Sequence, residues 1–434
     1  MAGFVKRIFC GIACLSFMTG SILFPAAAEG NAQTVDALRF GDGGKFTILQ
    51  ISDTQDTDSL SKDTYKMITA ALDQVQPDLV IFTGDQLEGY SPTFKISPEK
   101  KVKSAIDALV APLAEREVPF AVAFGNHDAQ SGISKEAQMA MYASYPNCVS
   151  RDEGDLLEGC GTNRLPVMSS DGKKTAFNLF VIDSLEHARE GGYAHVSTGQ
   201  IEFCREEAEK SARENGGKTV PSMVFQHIAV PEIYDALKET DECTGGAVEG
   251  FRTHSGRYYI LDRTNLVGEN TENYFLREAP CPPDVNSGQF DAWLASGDVI
   301  AAFFGHDHSN NFVSEYRGID LGYCPTSGFN AYGDGYNRGV RVIELDENTP
   351  AEYRTYTLLY DDLVEEELQE AFAFRVVENT PISFEQFKFA AAAATLLVIV
   401  LAAGITGVLL VRRKRKNSKR VRRGTRTGNG GYGE

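Results

Sequence analysis

The sequence has no Pro/Ser-rich linker and no repeat at a fixed period, so nothing splits its middle into modules or marks it as a solenoid. Neither Cys148 with Cys160 nor Cys243 with Cys281 has zinc-finger spacing, which makes structural zinc held by sulfur the minor reading. No LPxTG-like segment precedes the C-terminal apolar stretch, and Glu378-Asn379-Thr380-Pro381 does not qualify as one, so a retained membrane helix is a stronger reading than a wall-sorting signal. The chain is also poor in positive charge, with 42 Lys and Arg against 60 Asp and Glu and a net charge of -18. Many of its basic groups lie at the ends. Lys6 and Arg7 stand alone in the first segment, and ten Lys and Arg follow Val411 against the single Glu434, so the long middle is more acidic than the whole. So acidic an exterior excludes nucleic acid as a bulk electrostatic partner and suits a secreted protein that collects cations.

What is present begins with two specialised ends. Lys6 and Arg7 precede an apolar run from Ile8 to Pro25 that closes in Ala26-Ala27-Ala28, the pattern of a cleavable signal peptide over residues 1–28. Phe389 to Val411 carries no charge, and at a helical rise of about 1.5 Å it would span roughly 34 Å, enough to cross a bilayer core of about 30 Å. The basic run Arg412-Arg413-Lys414-Arg415-Lys416 comes directly after it. By the positive-inside rule residues 412–434 form a cytoplasmic tail, and the chain is a single-pass protein of the cell membrane with its large N-terminal part extracellular. Six cysteines lie outside the leader: Cys148, Cys160, Cys204, Cys243, Cys281 and Cys324. An even number in an oxidising compartment predicts up to three disulfides, with Cys148–Cys160 and Cys243–Cys281 as the sequence-local pairs.

Residues 29–363 read as one large α/β domain, followed by a stalk over 364–388. Lys45–Ser52, Asp78–Thr83 and Pro119–Ala123 are short apolar runs suited to buried strands, and Leu60–Val75 and Pro98–Ala114 between them show helical spacing. Strands joined by helical crossovers predict a parallel sheet. Lys135–Ser144 reads as helix and Tyr145–Gly172 as an excursion. Thr175–Asp183 is a strand, Gly199–Glu214 a helix, Ser222–Gln226 a strand, Gln289–Ser296 a helix and Val299–Phe304 a strand. Thr240–Thr271, rich in Gly and polar residues, reads as a surface loop or rim. Extended runs from Asn310 to Tyr360 predict antiparallel strands in a second sheet packed on the first.

Each buried run stops at a polar residue, and open α/β sheets place their chemistry at strand carboxyl ends. Collected, these are Asp53, Gln55, Asp85, Asn126, His127, His227, His306 and His308, which include four of the seven histidines. Taken singly, each has a plainer reading. Asp53 and Asp85 suit helix caps, His227 a core imidazole, and His306 with His308 a surface pair on one strand face. Together, carboxylate, amide oxygen and imidazole form the ligand set of Mn, Fe or Zn, and eight groups are more than one ion can use. Asp128 follows His127 as a carboxylate that could orient it. His187, His195 and His254 fall in loops.

The order Asp53-x-Gln55, Gly84-Asp85, Gly125-Asn126-His127-Asp128, His227 and Gly305-His306-Asp307-His308 resembles the calcineurin-like metallophosphoesterase superfamily from about Lys45 to Tyr360. The opening FTILQISDTQ and the segment around Gly191-Gly192-Tyr193 resemble its purple-acid-phosphatase-like branch. The resemblance implies a four-layer α/β/β/α sandwich of two mixed sheets, with one C-terminal transmembrane helix appended. It implies two metal ions, either both divalent or Fe(III) with a divalent partner. Asp53, Gln55, Asp85 and His308 would hold one, Asp85, Asn126, His227 and His306 the other, and His127 would protonate the leaving group. The implied activity is hydrolysis of small phosphate esters, monoesters somewhat ahead of diesters. The family usually has His where this chain has Gln55, and an amide is the weaker ligand. A catalytically impaired binding protein on the same fold is therefore the alternative.

Overall fold

A computed structural model describes residues 37–153, 157–333, 335–379 and 383–424. The signal-peptide reading lies outside the described residues, as does the end of the basic tail. In chain order the strands are β1 (Lys45–Ile51), β2 (Leu79–Thr83), β3 (Phe120–Ala123), β4 (Asn163–Met168), β5 (Thr175–Ile182), β6 (Ser222–Gln226), β7 (Leu237–Thr240) and β8 (Val248–Glu249). They continue with β9 (Tyr258–Leu261), β10 (Phe275–Leu276), β11 (Val299–Phe304), β12 (Asn310–Tyr316), β13 (Ile319–Tyr323), β14 (Gly339–Asp346) and β15 (Tyr353–Leu359). The α-helices are α1 (Lys62–Val75), α2 (Pro98–Ala114), α3 (Lys135–Tyr142), α4 (Thr198–Glu214), α5 (Gln289–Ser296), α6 (Tyr360–Leu363), α7 (Ala371–Asn379) and α8 (Phe384–Gly424).

Two mixed sheets form the sandwich. The first runs β15-β14-β1-β2-β3, with β1, β2 and β3 parallel and β14 and β15 antiparallel. The second runs β10-β12-β13-β11-β6-β5-β4, with β5, β6, β11 and β13 parallel and its outer strands antiparallel. The period of two in the first sheet explains why it is apolar on both faces. Phe46, Ile48, Leu79, Ile81, Ala121 and Ala123 point between the sheets, where they meet Phe225 and Phe303. Leu49, Ile51, Val80, Phe82 and Val122 alternate with them and point outward to α1 and α2. Those helices answer with Met67, Ile68, Ala71 and Leu72, and with Val102, Ile106, Leu109 and Leu113, at the three- and four-residue spacing of one helical face. On the far side Ile201 and Cys204 of α4 and Trp293 of α5 cover Phe180, Ile182 and Val224.

The structure departs from the sequence reading in three places. The excursion after Tyr145 contains β4, paired antiparallel with β5. Its burial alternates without a break, and Pro166 takes one of the half-buried positions, which an edge strand tolerates because no backbone N–H is needed there. Thr240–Thr271 is not a bare loop, since β8 and β9 join β7 in a small sheet of their own. The expected disulfides are not formed, and all six cysteines are free. Cys243 is exposed on the rim, while the Cys281 thiol donates to Ala279 O at 3.3 Å.

The segment read as a stalk packs on the domain. Asp63 of α1 accepts the backbone N–H groups of Gln369 and Glu370 at 2.9 and 3.0 Å, and Phe374 of α7 sits against Phe329 and Tyr336. After it, α8 presents exposed Leu, Ile and Val from Leu396 to Val411, and its Gln386–Lys419 portion is long and apolar enough to cross a membrane.

Arg341 ties the two sheets together. It projects from β14 into the interior, is fully buried, and donates to Tyr323 O at 3.2 and 2.9 Å, Asn311 Oδ1 at 2.7 Å and Thr355 Oγ1 at 3.2 Å. Removing it strands these acceptors in the core. Arg341→Ala is expected to lower stability by about 3–5 kcal/mol, read as a drop in Tm of the purified protein.

Candidate metal centre

The strands of both sheets end at one seam, and the loops that follow carry the polar residues. Asp53 and Gln55 follow β1, Asp85 follows β2, Asn126 follows β3, His227 follows β6, and His306 and His308 follow β11. All of these except His306 are buried, and His306 is partly covered. Four of them hold left-handed backbone that non-glycine residues rarely adopt: Asp53 at φ 52°, Gln55 at 38°, Asp85 at 51° and His306 at 76°. Such strain, about 1–3 kcal/mol each, persists only where surrounding structure imposes it, and it concentrates at functional sites.

Two glycines let the loops close on one another. A Cβ at Gly125 would fall 2.1 Å from Asp85 Oδ1, and one at Gly84 would fall 2.3 Å from His227 Nδ1. Gly84 also has φ +96°, a second reason that only glycine fits.

The candidate ligand atoms converge in two groups that share Asp85. His227 Nε2 lies 3.2 Å from Asp85 Oδ2, 3.2 Å from Asn126 Oδ1 and 3.3 Å from His306 Nδ1. Donor atoms of Asp85, His227 and His306 all fall within 4.8 Å of one another, a span that one cation would bridge. On the other side His308 Nε2 lies 3.4 Å from Asp53 Oδ1 and 3.2 Å from Gln55 Nε2, which in turn lies 3.2 Å from Asp85 Oδ2. Asp53 Oδ1 and Asn126 Nδ2 are buried without a hydrogen-bond partner. Buried polar atoms are nearly always satisfied, so an orphan carboxylate oxygen at Asp53 beside an imidazole cluster fits a site built for cations.

These buried groups act strongly on one another. Burial alone would drive the proton from His227, but Asp85 and Asp53 beside it outweigh that and hold the imidazole up at about 10. Burial would raise Asp85, yet His227 and His127 keep it well below the usual carboxylate range. Burial, reinforced by His227, holds His306 well below its ordinary value. Groups shifted in opposite directions in this way are frequent at functional sites.

The flanking residues take roles the sequence did not predict. Asp128 does not orient His127. Its carboxylate accepts the backbone N–H of Gly125 at 2.8 Å, Asp85 at 3.0 Å and Leu87 at 3.0 Å, which pins two loops together. The residue facing His127 Nδ1 is Gln130, with Oε1 at 3.1 Å. Tyr90 donates to Gln55 Oε1 at 3.2 Å and packs edge-on to His127. Of the three loop histidines, His187 reaches the site, with its ring centre 6.4 Å from that of His127 and stacked on Tyr193, which abuts His306. His254 instead stacks on Tyr234, and His195 faces the Val196 carbonyl. The aromatic residues lie far apart in sequence, and only the Gly191-Gly192-Tyr193 segment gave a signal for them.

Residues 46–310 match the Calcineurin-like phosphoesterase family. The chain belongs to this family. Among curated relatives, this metallophosphoesterase is 27% identical to probable inactive purple acid phosphatase 14 of Arabidopsis thaliana, over 71% of this chain and 77% of that one. It is 26% identical to probable inactive purple acid phosphatase 29 of the same plant, over 79% of this chain and 85% of that one. Phosphatase DCR2 of Saccharomyces cerevisiae is 25% identical over 62% of this chain and 45% of its own length.

Gly84→Ala is expected to push His227 out of register and lower bound metal by at least half after reconstitution, measured by elemental analysis of the full-length protein.

Proposed function

We propose that this protein is a hydrolase of phosphate esters with a two-metal centre, tethered by α8 with its phosphoesterase domain on the outer side of the membrane and its basic tail inside. The observation that carries the catalytic reading is the double cluster sharing Asp85, in which Asp53, Gln55 and His308 would hold one ion and Asn126, His227 and His306 the other. When bound, two such ions acidify water near neutral pH and offset charge on the phosphoryl oxygens. The chain's own residues do the rest. Asn126, its Nδ2 buried and unpaired, has a donor available to a phosphoryl oxygen. His127 presents Nε2 toward the centre, 4.0 Å from Asp85 Oδ2, while Gln130 holds its other nitrogen. From there it delivers a proton to the departing alkoxide. Monoesters are favoured over diesters, and Mn, Fe or Zn are the metals this donor set suits.

Gln55 supports a second reading. Its Nε2 faces Asp85 and His308, so the amide donates where a ligand would accept, and the relatives named probable inactive favour a binding protein that keeps the fold. Full-length protein in detergent, loaded with Mn, Fe or Zn and offered an aryl phosphate, separates the two. Under the first reading turnover appears and falls at least 100-fold in His127→Ala and in Asp85→Asn. No turnover, with fewer than one bound metal per chain, selects the second.

Topology rests on the basic run after α8. A membrane-impermeant maleimide applied to intact cells is expected to label the exposed thiol of Cys243, and labelling only after lysis reverses the orientation.

A further inference from the structure

Beside the metal centre, on the His127 side, lies an open cleft of about 410 Å³ that the hydrolytic chemistry does not use. Its walls include Ala129, Lys135, Glu136, Leu185, Glu186 and His187. Ala129 is two residues beyond His127, and His187 faces both His127 and the cleft, so the cleft opens where His127 would release the alcohol. Its volume lies within the range of small-molecule sites.

The charge of the walls is lopsided. The one ammonium, that of Lys135, is almost wholly buried and already lies 3.0 Å from Asp183 Oδ1 and 3.3 Å from Glu186 Oε1. Asp183 in turn accepts the backbone N–H groups of Cys160 and Leu185, and the Leu185 backbone is left-handed at φ 68°, so this pairing is fixed in place. Glu186 is 44% exposed, and Glu136 stands in the first turn of α3, where its bond to Ser134 holds it below the usual carboxylate range. The N-terminus of α3 opens on the cleft as well. Its dipole is offset by Glu136, and the Ser134 side chain caps it by accepting from Ala137 N at 3.3 Å. With Lys135 paired to the buried Asp183 behind the wall, the two wall carboxylates Glu136 and Glu186 leave the cleft negative, and a second anion on the substrate would be repelled.

We propose that this cleft is the leaving-group subsite and selects phosphate esters of small cationic amino alcohols. The inference rests on the phosphoesterase reading above. In the reaction the P–O bond to the amino alcohol breaks as a water oxygen bonds to phosphorus. The proton from His127 goes to the alkoxide, and the free amino alcohol remains against Glu186 and Glu136.

The test compares phosphocholine, 3-phosphoglycerate and an aryl phosphate on metal-loaded full-length protein, and measures choline binding alone by saturation-transfer NMR. Wild type is expected to prefer phosphocholine to 3-phosphoglycerate in kcat/KM by at least tenfold. Glu186→Lys should reverse that preference while aryl phosphate turnover stays within about threefold, with Glu186→Gln intermediate and choline binding lost in the Lys variant. An unchanged preference ratio in both variants, with aryl turnover intact, overturns the subsite. Absence of all turnover overturns the phosphoesterase reading instead, and choline binding sensitive to Glu186 would then still assign the cleft. Choline binding indifferent to both variants removes it.

Discussion

The Asp85 carboxylate is the point on which the rest depends. It is buried at the seam of two sheets, between His227 and the backbone N–H of His127 at 2.7 Å, with its own N–H held by Asp128. A desolvated carboxylate is costly unless surrounded by positive charge and donors. The fold supplies these from five loops, and two glycines let those loops approach within van der Waals distance. Sheet packing, backbone strain and loop closure all serve this one group.

Much of this was legible in the sequence because a parallel strand announces its own end. An apolar run cannot carry Asp or His inside the sandwich, so the first polar residue marks the carboxyl edge, as at Asp53, Asp85 and His227. The helices facing the first sheet were legible through their three- and four-residue spacing. Gln130, Tyr90 and His187 were not, because their importance lies in what stands across from them, and no local pattern encodes that. Asp128 was misassigned for the same reason: adjacency to His127 suggested a pairing, whereas its partners are backbone N–H groups of three separate residues. The strands β8 and β9 escaped because short pairs in polar surroundings carry little periodicity. The cysteines misled because pairing rules read compartment and count, whereas the fold places these thiols in separate environments.

Gln55 joins the chemistry to its relatives' names. Its amide spans Asp85 and His308 as a donor and is fixed from behind by Tyr90. To present oxygen to an ion it must turn over, and the Tyr90 hydroxyl would then change from donor to acceptor. Asp85, His227 and His306 by contrast already bring their candidate ligand atoms within 4.8 Å of one another.

The packing of α7 on the domain sets a length scale. Had residues 364–386 been a free strap, they would have extended at most about 80 Å at roughly 3.5 Å per residue. With the chain docked through Asn379, only the four residues before Phe384 separate the domain from α8, a tether of at most about 14 Å, and the Ser383 hydroxyl is itself bonded to Glu88 in the loop that follows Asp85. The loop that carries Asp85 is thereby joined through Ser383 to the very start of the apolar helix, so any displacement of α8 is felt directly at the candidate metal centre.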